Sequence, residues 1–125
     1  MMPANPVNKT TSVKKPARRE REPATAMMRE MIPHAAKAAS LLRALANEQR
    51  LMILCNLAGG ELSVGQLNER LALGQSALSQ HLAVLRKTGV VTTRRASQTV
   101  YYSLKPGPAA RIVDTLHGIY CSKKS

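Results

Sequence analysis

Residues 62 to 88 leave room for two short helices and almost nothing between them. Ser63-x-x-Gln66 has the form of a capping box, and Leu62 ahead of it can staple onto Leu67 at the head of "VGQLNERLA". Gly74 separates that helix from a second, "QSALSQHLAVLRKT", which Gly89 terminates. On a wheel of about 100° per residue, Leu78, Leu82 and Leu85 fall within about 60° of one another, the buried stripe of an amphipathic helix. Two helices joined this tightly form a helix-turn-helix. The β-rich runs "VVTTRR" and "TVYYSL" follow, joined through Ala96-Ser97-Gln98 as a hairpin. The fold class is therefore mainly α with a β-hairpin wing, a winged helix-turn-helix, which is a DNA-binding architecture.

The flanking segments complete one small domain. "AAKAASLLRALA" from Ala35 is rich in helix formers and carries Leu41, Leu42 and Leu45 on one stripe. Asn47 caps the next helix, with Glu48 in its first turn complementing the helix dipole. That helix runs through Ile53 and Cys55 to Ala58, is apolar almost all round and is expected to be the core helix, stopped by Gly59 and Gly60. Pro106 and Pro108 open a last helix, Ala109 to Cys121. Ahead of all this, residues 1 to 33 hold five of the seven prolines and seven Lys and Arg against three Glu. So little apolar content cannot support a core, and the expectation is a disordered basic arm over 1–33 followed by a DNA-binding and dimerisation domain over 34–125.

The formal net charge of +12 calls for a polyanionic partner. Nucleic acid fits better than membrane, because no basic amphipathic helix carries Trp or Phe. "LMILC" is far too short to span a bilayer, and no apolar leader is visible at the N-terminus, so a cytoplasmic, nucleoid-associated location is expected. The only aromatics are Tyr101, Tyr102 and Tyr120, which argues against a stacking platform for single strands and leaves duplex DNA. An enzyme is not expected: there is no Gly-rich phosphate loop and no paired carboxylates, and seven acids are few for a hydrolytic site. No cofactor is implied.

Opposite the leucine stripe, the second helix of the pair carries Ser76, Ser79, Gln80, Ala83 and Lys87, flanked by Gln75 and Arg86. Short hydroxyls and amides let a helix approach the major groove, and Gln can pair bidentately with adenine. Arg86 and Lys87, at the far end, suit phosphate contacts. An ordinary solvated face would mix Glu with Lys, and this helix has no acid. His81 lies nearer the apolar stripe and is read as structural. The hairpin offers Arg94, Arg95 and, across the turn, Gln98, for phosphate or the minor groove. By strand alternation Val100 and Tyr102 face the core and Tyr101 the other way.

"LANEQRLMILCNL", "ELSVGQL", "QSALSQHLAVLRKTG", "VVTTRR" and "QTVYYSL" resemble the ArsR/SmtB family of small winged-helix repressors over about residues 38 to 122. Within it the chain looks most like the thiol- and persulfide-sensing BigR/SqrR/HlyU group, whose cysteines stand where Cys55 and Cys121 stand here. The resemblance implies a homodimer joined by the first and last helices, bound to an imperfect inverted-repeat operator and released by a signal. It also implies base readers at Gln75, Ser76, Ser79 and Gln80. Arsenic- and cadmium-sensing relatives have two cysteines where this chain has Ser63 and Gly65, so that soft-metal site is absent. The zinc-sensing set is reduced to Asp114 and His117, and no metal site is assigned. Gly74 replaces a capping Ser that relatives often carry.

On the wheel of the last helix, Ile112, Val113, Leu116, Ile119 and Tyr120 form the apolar arc, and Cys121 falls outside it beside Asp114 and His117. Cys55 falls in the core-helix stripe with Leu51 and Ala58. Cys121 is therefore expected to be the more accessible thiol. Three readings stand: a metal held through Asp114, His117 and Cys121 in a metal-responsive repressor; two inert thiols in a constitutive nucleoid-type DNA-binding protein; and, as the resemblance implies, a Cys55–Cys121 dithiol sensor of reactive sulfur species or oxidants. Cα atoms more than about 7 Å apart would make a direct disulfide need backbone movement, and a bridge with extra sulfur less.

Overall fold

The computed structural model describes residues 18–121, with side chains from Thr25 onward. They fall into two compact units divided between Ala36 and Lys37. The first holds α1 (Arg18–Met31) and a single 3₁₀ turn, Ile32–His34. Both lie within the segment expected to form a disordered arm over 1–33 or at its edge. Poverty in apolar residues removes a core but not local helicity, and "RREREPATAMMREM" is dominated by the helix formers Arg, Glu, Ala and Met. Met27, Met28, Met31 and Ile32 are exposed. Residues 1–17 and 122–125, with Lys123 and Lys124, lie outside the described residues.

The second unit carries α2 (Ala35–Leu45, from its third residue on), α3 (Glu48–Leu57), β1 (Leu62–Ser63), α4 (Val64–Leu71), α5 (Gln75–Lys87), β2 (Val91–Ala96), β3 (Thr99–Leu104) and α6 (Pro108–Cys121). This is the expected order of helices and hairpin, with one addition. β1 joins the hairpin in a three-stranded antiparallel sheet ordered β1-β3-β2, with Leu62 opposite Tyr102 and Ser63 opposite Tyr101. Two residues are too short a run for alternation to reveal.

The helix ends follow from their sequences. Asn47 Oδ1 accepts from the Arg50 backbone N–H at 3.0 Å at the head of α3. At α4 both arms of the capping box form: Ser63 Oγ accepts from Gln66 N–H at 3.2 Å, and Gln66 Oε1 accepts from Ser63 N–H at 2.9 Å. α5 starts on Gly74, φ 86°, without a side-chain cap. It ends in a Schellman pair, with Val90 N–H donating to the Leu85 carbonyl and Gly89 N–H to that of Arg86. Leu85 and Val90 are both buried, the apolar contact this ending favours.

Leu78, Leu82 and Leu85 of α5 enter one core with Ile53, Leu54 and Leu57 of α3, Leu67 of α4, Ala44 and Leu45 of α2, and Val113 of α6. This core fixes α5 by its leucine edge and leaves the opposite edge outward. The turn between α4 and α5 is tight enough to put Ala72 in the left-handed region, φ 53°. A Cβ there costs roughly 1–2 kcal/mol, partly offset in a glycine variant by a looser unfolded chain. Ala72→Gly is expected to gain about 0.5 kcal/mol, read as a raised Tm in thermal melts.

Candidate nucleic-acid interface and thiol groove

On α5, Gln75, Ser76, Ser79, Gln80, Ala83, Arg86 and Lys87 are all exposed, and Leu78, Leu82 and Leu85 are buried. The arc read from the sequence is thus one continuous outward face. Ser79, Ala83, Arg86, Lys87 and Tyr102 line a shallow open concavity of about 450 Å³ where the helix meets the wing. Helix and hairpin therefore present adjoining surfaces.

His81 is half-buried. Its Nδ1 stands 3.5 Å from Nη1 of Arg50, whose Nε and Nη2 donate to the carbonyls of Ala44 (2.6 Å) and Arg43 (3.1 Å) at the end of α2. Free carbonyls at a helix end accept such donors readily. Arg50 thus ties α2, α3 and α5 together, a role that sequence reasoning missed because its side-chain partners lie on two other elements, up to 31 positions away.

In the wing, Ala96 faces Thr99 across a two-residue turn in which Ser97 has φ 60°. A positive φ at the first central position is what a type II′ turn needs. Arg95 and Gln98 are exposed near this tip. Arg94, also expected to contact DNA, is exposed and pairs within the chain. Its Nε donates to both carboxylate oxygens of Glu61 at 3.1 Å, its Nη2 donates to Oε2, and its guanidinium carbon lies 4.8 Å from the Tyr101 ring centroid. Hydrogen bonding to Arg94 holds the Glu61 carboxyl below its ordinary range, and the same bond raises the Arg94 guanidinium. A carboxyl depressed in this way adds stability above its unfolded pKa and loses it as pH falls through the lower folded value, so the pair is intact at neutral pH and gives way only in acid. Glu61 also went unread in the sequence; the signal was an acid just outside β1 in a strongly basic chain, but its partner lies 33 positions away.

Cys55 and Cys121 are both free and both exposed. This corrects the placing of Cys55 in the core. α3 is apolar almost all round, but only the side bearing Ile53, Leu54 and Leu57 is covered, while Met52 stays 46% exposed and Ala58 is open. Cys55 lines a groove of about 760 Å³ between the end of α3 and α6, together with Glu61, Val113, Asp114 and His117. Cys121 follows His117 by one turn of α6, a rise of about 6 Å. Among the described residues no three of His, Cys, Asp and Glu stand together as a metal-holding group. No helix among them is long and apolar enough to cross a membrane.

The sequence pattern of "Bacterial regulatory protein, arsR family" matches residues 47–93. The transcriptional activator HlyU of Vibrio cholerae is 53% identical over 94 residues, which cover 75% of this chain and 87% of HlyU. The solved structure of reduced HlyU aligns with a TM-score of 0.70 at 54% identity, covering 74% of this chain and 98% of that one. The biofilm growth-associated repressor of Xylella fastidiosa is 42% identical over 95 residues, 76% of this chain and 83% of the repressor. A homodimeric winged helix-turn-helix DNA-binding domain from Mycobacterium bovis, solved in solution, aligns with a TM-score of 0.64 at 29% identity over 68% of this chain and 79% of that one. With an outward polar helix, an adjoining wing and these relatives, the chain belongs to the ArsR family of bacterial regulatory proteins, winged helix-turn-helix proteins that bind DNA and regulate transcription.

Proposed function

We propose that this chain acts as a homodimeric, sequence-specific repressor whose operator affinity is switched by persulfide or other redox modification of the Cys55–Cys121 pair. The observation that carries the DNA reading is the acid-free outward face of α5, with Gln75, Ser76, Ser79 and Gln80 toward its start and Arg86 and Lys87 at its end. Amides and hydroxyls read base edges, and the cations fix the frame on phosphate. Arg95 and Gln98 at the wing tip extend the contact.

Dimerisation is supported by apolar surface that one chain leaves uncovered. Leu42 of α2, Met52 of α3 and Ile119 and Tyr120 of α6 are exposed, Tyr120 to 80%. Pairing such faces across a two-fold axis would set two α5 helices about one helical turn apart on an imperfect inverted repeat. The homodimeric M. bovis relative is consistent with this; of the relatives, the X. fastidiosa protein is named a repressor and HlyU an activator, and the repressing sign is the one we take. A cytoplasmic, nucleoid-bound location follows from a DNA target.

The switch rests on two exposed thiols: Cys55 lines the groove from α3, and Cys121 stands on α6 one turn beyond the lining residue His117. Two thiols and one persulfide RSSH give a disulfide, RSH and hydrogen sulfide. With a second RSSH, one sulfur stays in the bridge and a second RSH leaves. In both cases the thiols lose two electrons to sulfane sulfur. Either bridge ties the core helix to the last helix, where the dimer surface lies, and so alters the spacing of the two α5 helices. Mass spectrometry of the full chain after treatment with glutathione persulfide tests the chemistry. The expected product is a Cys55–Cys121 cross-link; separate adducts on each cysteine with no cross-link would contradict it.

A further inference from the structure

The pleat divides the two wing arginines. Arg95 stands opposite Val100 and shares a face with Tyr102, which lines the concavity beside Ser79 and Lys87 of α5. Arg94 stands opposite Tyr101 on the other face, where Ser63 of β1 is also paired. A guanidinium engaged by a carboxylate through Nε and Nη2, and lying over an aromatic ring, must give up those contacts to turn the same edge to a phosphate. Its carboxylate partner sits at a strategic point. Glu61 immediately precedes β1, and β1 runs directly into the Ser63 cap of α4. The pair therefore spans from the hairpin to the segment that begins the helix-turn-helix.

We propose that Glu61 and Arg94 are positioning residues for DNA recognition: their ion pair braces the wing against β1 so that Arg95 meets the duplex from the opposite face, and Arg94 itself touches no phosphate. The proposal rests on the reading of α5 and the wing as the DNA interface. It makes a signed distinction. If Arg94 were a DNA contact, Glu61 would compete with the duplex for it and removing the carboxylate would strengthen binding. If Arg94 is a brace, removing either partner weakens binding by the same amount.

The test titrates the full-length protein, over a salt series, with a duplex that the wild type selects from a random pool. The variants are Glu61→Gln, Arg94→Ala, the double variant, Arg94→Lys and Arg95→Ala. Glu61→Gln and Arg94→Ala are each expected to weaken binding about two- to fivefold, as for an exposed ion pair, and the double variant no more than either alone. Arg94→Lys, which keeps the charge and loses the planar fork, is expected to fall with Arg94→Ala. None of these should change the log-log salt slope, whereas Arg95→Ala should lower it by about 0.9. Tighter binding or unchanged affinity in Glu61→Gln, additive losses in the double variant, or a lowered slope in Arg94→Ala would each overturn the proposal. An unchanged slope in Arg95→Ala, with the Glu61 and Arg94 results as expected, would instead remove Arg95 from the interface and with it the purpose assigned to the brace.

Discussion

Leu82→Ala is expected to cost about 2–5 kcal/mol of stability, while Gln80→Ala, two residues earlier on the same helix, loses DNA and leaves the fold intact. Leu82 is 1% exposed in the core, so truncation removes buried methyl groups and opens a cavity beneath the reading helix. For a domain of this size the melting temperature should fall by at least roughly 8 °C, at matched protein concentration because association shifts it. Gln80 is exposed, and its side chain joins no hydrogen bond among the described residues. Its loss should leave the melt unchanged and weaken the selected duplex by about 1–3 kcal/mol, with relaxed preference at one base position. Footprinting and competition with a scrambled duplex separate the two effects. Unchanged protection and base preference in Gln80→Ala would remove that residue from the interface.

Local chemistry was legible in the sequence. Asn47 and the Ser63–Gln66 box announce helix starts through bonds three residues long, and the Leu78-Leu82-Leu85 spacing announces a buried edge through one helix period. The outward face of α5 followed by subtraction. What failed to show were features set by tertiary neighbours. The apolar composition of α3 suggested burial all round, but composition does not say which sides of a helix other elements cover, and Cys55 is on an uncovered side. The Glu61–Arg94 ion pair joins residues 33 positions apart, beyond the reach of a local reading. The helix at Arg18–Met31 shows the reverse limit, since propensity within one segment persists without any core to support it.

A second large effect is expected at the cysteines. On the proposed switch, linking α3 to α6 is expected to alter the spacing of the reading helices. A coupling of about 1–3 kcal/mol would lower operator affinity roughly 5- to 150-fold. Both thiols are exposed, so accessibility does not rank Cys121 above Cys55, and each single variant is informative. Serine in place of either cysteine removes the bridge while keeping size and leaves the outward face of α5 untouched. The decisive measurement is affinity for the selected duplex before and after glutathione persulfide, in wild type, Cys55→Ser and Cys121→Ser. The expected result is loss of affinity on treatment in the wild type, reversed by dithiothreitol, with both variants bound to DNA throughout. Release of DNA by both single variants, to the same extent as by the wild type, would contradict the dithiol switch.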